Sequence, residues 1–351
     1  MDTPTQPYEE RFGPVERRLR RIRRGVAWRT KAMLGRPRSL LVEIRWRLGD
    51  EVMAIPVYEA LKQRYPSSHL TVLCNYPGLL RDNPHVDAVN AESASPDKYL
   101  LLRGAPRDVF RPEQYARLAG VLTKPPVDAT AETLGLSAPR VYCENWHSPL
   151  LDELAGLLAD QAGGSAPPVH EDALPERPEP AWNGPAFLAV CTGATWPTKR
   201  WPPALWRELC RRLADDGWHL VQLGRGDEDV GAGVSLIDRT TIEEAACILR
   251  AARLLICCDS GLMHLARAVG TPAVALFGPT DPSILIRDDP GFHALTNGRL
   301  CKGCWNIREG LPGRPRMEQE GVCPVGIAEC METLTVDAVL ARVGRVLQKG
   351  P

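Results

Sequence analysis

Residues 254–282 read LLICCDSGLMHLARAVGTPAVALFGPTDP. The run 254–258 is apolar throughout, the pattern of a strand covered on both faces in a parallel sheet. It stops at Asp259-Ser260-Gly261, and a helical pattern follows in which Leu262, Leu265, Ala266 and Val269 share one side. Gly270 is placed to end that helix, and Pro272 stands just past it. A second apolar run, 273–277, breaks at Gly278-Pro279-Thr280-Asp281-Pro282. Strand, glycine turn, helix, strand is an α/β unit of parallel-sheet type. In such a unit the helix starts at the carboxyl edge of the sheet. Its first N–H groups lack intrahelical partners there, and the helix dipole favours an anion. Gly261 lets a phosphate approach the main chain, Ser260 adds a hydroxyl, Asp259 a carboxylate, and His264 looks back toward the same end from one turn inside. The same residues also suit a plain helix cap, with Asp259 or Ser260 accepting from the first turn.

The ordered run D-S-G-x-x-H-L-A, followed by G-x-P-x-x-x-x-F-G-P-T-D-P, resembles the signature of glycosyltransferase family 9, the ADP-heptose-dependent heptosyltransferases of lipopolysaccharide assembly and their relatives. Two other stretches carry the likeness. A strand over 39–44 leads into Arg45-Trp46-Arg47-Leu48-Gly49-Asp50, a helix to about residue 64, and a strand over 69–74. With one glycine in its turn this is not the dinucleotide pattern G-x-G-x-x-G. It is similar to the family's N-terminal motif at Arg45, Gly49, Asp50, Pro56, Ala60, Leu61, Lys62, Tyr65 and Pro66. The resemblance implies that Asp50 is the catalytic base, taking the acceptor hydroxyl's proton as the sugar–phosphate bond breaks. By position alone Asp50 reads as an N-cap, and a helix N-terminus makes a carboxylate a weaker base.

The third stretch follows a strand over 187–191. Lys199 in K-R-W-P matches the family's K-x-W-P, which implies that Lys199 faces the donor diphosphate; without that match it reads as a solvated loop charge. A helix with Leu205, Trp206, Leu209 and Leu213 on one face comes next, then a strand over 218–223 and an acidic loop, 224–229. Glu228, with Asp229 beside it, is placed to reach ribose hydroxyls. A strand over 234–238 and a helix over 242–250 lead back to the central strand. The resemblance groups Asp259, Ser260, Gly261, His264 and Thr280 with Lys199, Glu228 and Asp229 around an ADP-sugar. It implies the GT-B architecture, two Rossmann-like domains with parallel sheets facing across a cleft. It also implies inverting transfer of a heptose or related sugar, with Lys199 and the helix end stabilising the ADP leaving group and no catalytic metal. The alternatives are another GT-B enzyme, such as a nucleotide-sugar 2-epimerase, and a non-catalytic scaffold that binds sugar nucleotides.

At 351 residues the chain is long enough for two domains. Hydrophobic residues at 44% and charged residues at 25% are ordinary for a soluble globular protein. No stretch approaches the roughly 20 apolar residues of a membrane span, and the N-terminus lacks a signal-peptide core. A cytoplasmic location is therefore expected. Formal net charge is zero, but residues 1–38 hold eleven Lys or Arg against four Asp or Glu. Within 14–34, Val15, Leu19, Ile22, Val26 and Met33 fall at near-helical spacing among the arginines. This reads either as a basic amphipathic helix on an anionic membrane surface, which would make the protein peripheral at the inner membrane, or as a helix or arm with no such contact. No nucleic-acid module accompanies the charge, so no nucleic-acid partner is expected.

The expected organisation is a basic arm (1–38), an N-terminal acceptor domain (39–162), a linker rich in Pro, Gly and Glu (163–185), a nucleotide-sugar domain (186–334) and a terminal helix (335–351). In two-domain glycosyltransferases that last helix often crosses back to the first domain. Weak strand patterns lie at 86–89 and 99–102, and helix patterns at 114–122 and 150–159. Residues 75–160 show none of the family's acceptor-binding landmarks, which leaves the acceptor open among a glycolipid, a glycan and a protein.

Seven of the eleven cysteines are scattered, several inside apolar runs, where they serve as small hydrophobes. The other four, Cys301, Cys304, Cys323 and Cys330, cluster in a loop-like segment, 301–330. Paired Cys-x-x-Cys with two more cysteines nearby is a metal-site pattern, and four thiolates would make a structural zinc or iron site. The gap of six before Cys330 departs from the commonest zinc ribbon. Reduced thiols are the next reading and disulfides the last, given the expected compartment. Some family members that glycosylate autotransporter proteins carry a similar four-cysteine iron site.

Overall fold

The computed structural model describes residues 38–45, 47–91, 98–101, 138–146, 148–160, 182–231, 233–286, 289–297, 304–305, 321–324, 326 and 328–348. The helices expected over 14–34 and 114–122, most of the expected linker 163–185, and Cys301 lie outside the described residues. The chain divides into two compact units, 1–141 and 142–351.

The first unit carries four parallel strands, β1 (Ser39–Ile44), β2 (His69–Cys74), β3 (Ala88–Val89) and β4 (Lys98–Leu101), in the order β3-β2-β1-β4. Every residue of β1 from Leu40 to Ile44 is buried, Glu43 included, so the strand shows no apolar–polar alternation. Helix α1 (Leu48–Arg64) carries the chain from β1 to β2, burying Val52, Ile55, Tyr58 and Leu61. Asp50 and Glu51 lie in its first turn and Lys62 and Arg64 in its last, the charge order the helix dipole favours.

The second unit is a six-stranded parallel sheet, β5 (Phe187–Cys191), β6 (His219–Gln222), β7 (Val234–Ser235), β8 (Leu254–Cys258), β9 (Ala273–Leu276) and β10 (Phe292–Leu295). Its order is β10-β9-β8-β5-β6-β7. The chain steps outward from β5 to β7, then returns to the other side of β5 and steps outward again. The order reverses between β5 and β8, which pair from Leu188↔Leu254 to Cys191↔Cys257. Ligands of open α/β sheets bind at the carboxyl ends of the strands at such a switch point.

Among the described residues, the helices around this sheet are α2 (Pro149–Asp160), α3 (Pro203–Asp215), α4 (Ile242–Ala251), α5 (Gly261–Ala268), the single-turn α6 (Pro282–Leu285), α7 (Glu329–Glu332) and the terminal α8 (Val336–Gln348). Sequence dictates several of their ends. Pro203 opens α3 at the one helical position where a missing N–H costs nothing. Thr241 and Glu244 form a reciprocal capping box at α4. Gly270, with φ 81°, ends α5 in a conformation that an L side chain resists. The core joins Leu188, Val190, Ile256 and Val274 of the sheet to Trp206, Leu209 and Leu213 of α3 and Val339 and Val343 of α8.

Two expectations about organisation change. The division between units falls after Val141, upstream of the expected boundary at 162/163. Helix α2 buries Leu154 and Leu158 and contacts α4 and β7. Arg239 pairs with Glu153 at 2.9 Å, and Arg250 reaches the Glu144 carbonyl at 3.1 Å. The terminal helix packs within the second unit, on α3 and the β9–β10 edge. Arg212 pairs with Asp337 at 2.7 Å, and Arg342 donates to the Ala294 carbonyl. Its apolar face had a ready partner in α3, whose stripe it completes.

Candidate active site

Lys199 and Asp259 meet at the switch point. Lys199 follows β5 in a 3-10 turn, Pro197–Lys199, and Asp259 follows β8 directly. The Lys199 ammonium lies 2.6 Å from Asp259 Oδ2, and the Thr280 hydroxyl donates to the same oxygen at 2.6 Å. Asp259 is 4% exposed. Burial works to raise its carboxyl, but the Lys199 charge, His264 and the two hydrogen bonds outweigh it and hold Asp259 below its ordinary value. His264, one turn into α5, places Nε2 4.0 Å from Asp259 Oδ1. Burial pushes its imidazole down to about 4 against the pull of Asp259, so it is neutral at pH 7. His264 Nδ1 has no hydrogen-bond partner among the described residues.

Neither cap reading holds. Ser260 occupies the N-cap position of α5 without a side-chain cap bond; its hydroxyl instead lies 3.8 Å from Cys191 Sγ. Asp259 is turned to Lys199 rather than to the helix. In α1 the N-cap is Arg47, and Asp50, half-buried, stands inside the first turn. The start of α5 is thus left without a side-chain cap, next to the Lys199–Asp259 pair.

Glu228 belongs to the loop after β6. Its carboxylate is folded over Gly193, so closely that a Cβ there would sit 1.9 Å from it. The Glu228 carbonyl accepts from Thr192 Oγ1 at 2.5 Å, and Arg225 N–H bonds the carboxylate at 3.0 Å. Glu228 therefore stands at the carboxyl ends of β5 and β6. Asp229 is used differently from the expectation. Its carboxylate accepts from Ser235 Oγ at 2.5 Å, Gly231 N at 2.7 Å and Gln222 Nε2 at 3.1 Å. These bonds, Ser235 first, hold it below its ordinary value and commit it to shaping its own loop.

Among the described residues, no three His, Cys, Asp or Glu side chains gather as a metal site. Of the expected thiolate ligands, Cys304 and Cys323 are half-buried and Cys330 is buried against Gly278.

Sequence reading overlooked Trp196, whose indole ring holds the Lys199 ammonium 4.3 Å from its centroid. The signal was present: in a 3-10 turn residues i and i+3 eclipse, and Lys199 N–H bonds the Trp196 carbonyl at 3.0 Å. It also overlooked Glu51, 3% exposed, which accepts from the Asn75 and Tyr76 amides at 2.9 Å each.

Residues 160–287 match the family model of glycosyltransferase family 9 (heptosyltransferase). That match covers the Lys199 and Asp259 motifs and leaves Asp50 outside. The chain is 37% identical over 108 residues to lipopolysaccharide heptosyltransferase 1 of Pseudomonas aeruginosa, covering 28% of this chain and 30% of that protein. It is 31% identical over 139 residues to lipopolysaccharide heptosyltransferase 2 of Escherichia coli, covering 35% and 39%. The chain thus spans between 30% and 39% of the length of these relatives. Among solved structures, the ADP-heptose lipopolysaccharide heptosyltransferase II of Escherichia coli superposes with a TM-score of 0.57 at 18% identity, over 88% of this chain and 98% of that one. The iron-containing dodecameric heptosyltransferase TibC, solved in complex with ADP-D-beta-D-heptose, gives 0.57 at 16% identity, over 89% and 76%. At such identities the likeness establishes the fold, GT-B, with one Rossmann-type sheet in each unit.

Proposed function

We propose that this chain, whose residues 160–287 match the family model of glycosyltransferase family 9, transfers a heptose or related sugar from an ADP-sugar to an acceptor hydroxyl. The observation that carries the reading is the Lys199–Asp259–Thr280 cluster at the switch point, beside the start of α5. A cation held by a buried carboxylate at a helix N-terminus suits a diphosphate, which meets the ammonium and main-chain N–H groups together. Glu228 accepts from the ribose hydroxyls. Neutral His264 donates to or accepts from the sugar or phosphate without adding charge. As the bond from the anomeric carbon to the diphosphate oxygen breaks, negative charge grows on ADP, and Lys199 with the helix end stabilises it. Asp50 takes the acceptor proton as the acceptor oxygen bonds the opposite face of the anomeric carbon, so the transfer inverts configuration. The products are ADP and the glycosylated acceptor, a lipopolysaccharide intermediate first and a glycan or protein next. Catalysis takes place in the cytoplasm, with residues 14–34 resting on anionic lipid.

The test is binding and turnover. ADP-heptose should raise the melting temperature where UDP-, GDP- and dTDP-sugars do not, and ADP should appear in step with a heptosylated acceptor. A shift with UDP-sugars alone would overturn the donor assignment. Asp50→Asn should keep donor binding and lose transfer; full transfer by that variant would remove Asp50 from its role. Deleting residues 1–36 should abolish binding to anionic liposomes, and unchanged binding would end the membrane reading.

A further inference from the structure

We infer that Trp196 and Trp305 are positioning residues for Lys199, so that the cysteine-bearing segment takes part in donor binding through an aromatic contact; this rests on the function proposed above. Trp305 follows Cys304 directly. Its ring packs edge-on against Trp196, with centroids 4.8 Å apart and an interplanar angle of 72°. The face of Trp196 in turn holds the Lys199 ammonium at 4.3 Å. Trp305 N–H donates to the Pro279 carbonyl at 2.9 Å, and the next residue, Thr280, bonds Asp259, which bonds Lys199. The contacts form a closed ring: Lys199, Trp196, Trp305, the 279–280 loop, Asp259 and Lys199 again. The far end of the segment joins it, since a Cβ on Gly321 would meet Pro197 Cδ at 3.4 Å and Trp196 Cβ at 3.5 Å. Both tryptophans are buried.

The physical sense lies in what an indole face demands of an ammonium. It attracts the charge without taking a directed hydrogen bond. Asp259 accepts one of the three N–H groups of Lys199, and Trp196 fixes the side chain laterally while leaving the others for phosphate oxygens. Trp196 is kept in plane by Trp305, because an edge-to-face pair fixes ring orientation as well as contact. Removing Trp305 leaves Lys199 and Asp259 in place chemically but frees the ring that aims the lysine.

The experiment has two arms. In full-length protein with 13C-labelled lysine, the Hε resonances of Lys199, assigned by their loss in Lys199→Arg, should be shifted upfield by the Trp196 ring current. Trp305→Leu should return them toward the ordinary lysine position, and Trp305→Phe should keep most of the shift. Calorimetric titration with ADP forms the second arm. Trp305→Leu should weaken binding about tenfold, Trp305→Phe should restore most of the loss, and in a Lys199→Met background Trp305→Leu should change nothing further. Unshifted Hε resonances in the wild type would overturn the proposal whether or not ADP binds. An ADP loss of equal size in both backgrounds would also overturn it, showing Trp305 to be merely structural while leaving the proposed function intact. If the wild type binds no ADP, the proposed function fails, and positioning is decided by the resonances alone.

Discussion

His264 is a histidine that folding keeps uncharged. Its value falls from 6.5 to about 4, first because it is buried. A depressed value means that the unfolded chain binds the proton more readily than the folded one. Stability is therefore whole above pH 6.5 and drains away as the pH falls toward 4, by up to about 3 kcal/mol. Denaturation at a series of pH values should show this slope, and His264→Gln should flatten it. Lys199 is the complementary case. Lys199→Met strands the Asp259 carboxylate with only Thr280 and should cost about 3 kcal/mol at pH 7. Asp259 is held low in the folded protein, so the pairing stabilises above 3.8 and is lost below it. Melting curves of variant and wild type should accordingly converge in acid. The sequence placed both residues at one site through the resemblance but not as a bonded pair, because that contact depends on β5 and β8 lying side by side. It placed Glu228 ahead of Asp229, but the physical reason, the bonds that Ser235 and Gln222 make to Asp229, appears only in the fold.

At the scale of elements, the turn after β5 and the loop after β6 are fitted to each other. Gly193 has no side chain because the Glu228 carboxylate lies where a Cβ would go. That carboxylate is the free end of a side chain and can swing aside, so Gly193→Ala should fold with about 1 kcal/mol lost. It should nonetheless weaken ADP binding as much as Glu228→Ala does. Matched titrations of the two variants check this, and undiminished affinity in Gly193→Ala would remove Glu228 from the donor site. The joint between α1 and the loop after β2 hangs on Glu51. Glu51→Ala orphans the Asn75 and Tyr76 amides and should cost about 3 kcal/mol in chemical denaturation. The strands β1, β2, β5 and β8 were legible to the residue, since runs buried on both faces are mostly apolar, β5 and β8 throughout and β1 and β2 apart from Ser39, Glu43, His69 and Thr71. The cap and ligand readings of Asp259 and Ser260 both stayed open in the sequence, because Asp, Ser and a following helix look alike whether the side chain turns to the helix or to a distant lysine.

For the molecule as a whole, two units with separate sheets predict separate responses to ligand. ADP at one hundred times its dissociation constant should add about 2.7 kcal/mol to whatever binds it. Amide exchange should slow about a hundredfold in β5, β8 and α5 and stay unchanged in β1 and β2. Equal slowing in β1 would mean that both units unfold as one. The division after Val141 was not legible, because α2 joins the second unit through Leu154 and Leu158, two leucines that fit either side equally in a pattern. The strand order has one more consequence, and it concerns birth rather than function. Of the strands in its sheet, β5 leaves the ribosome first and becomes a central strand, yet its partner on one side, β8, is made only after β6, β7 and α4. At roughly 5–20 residues per second, FLAVC waits on the order of several seconds with one apolar edge open. That interval gives neighbouring nascent chains their best chance to aggregate on it, and a holdase that grips extended apolar segments its best chance to intervene.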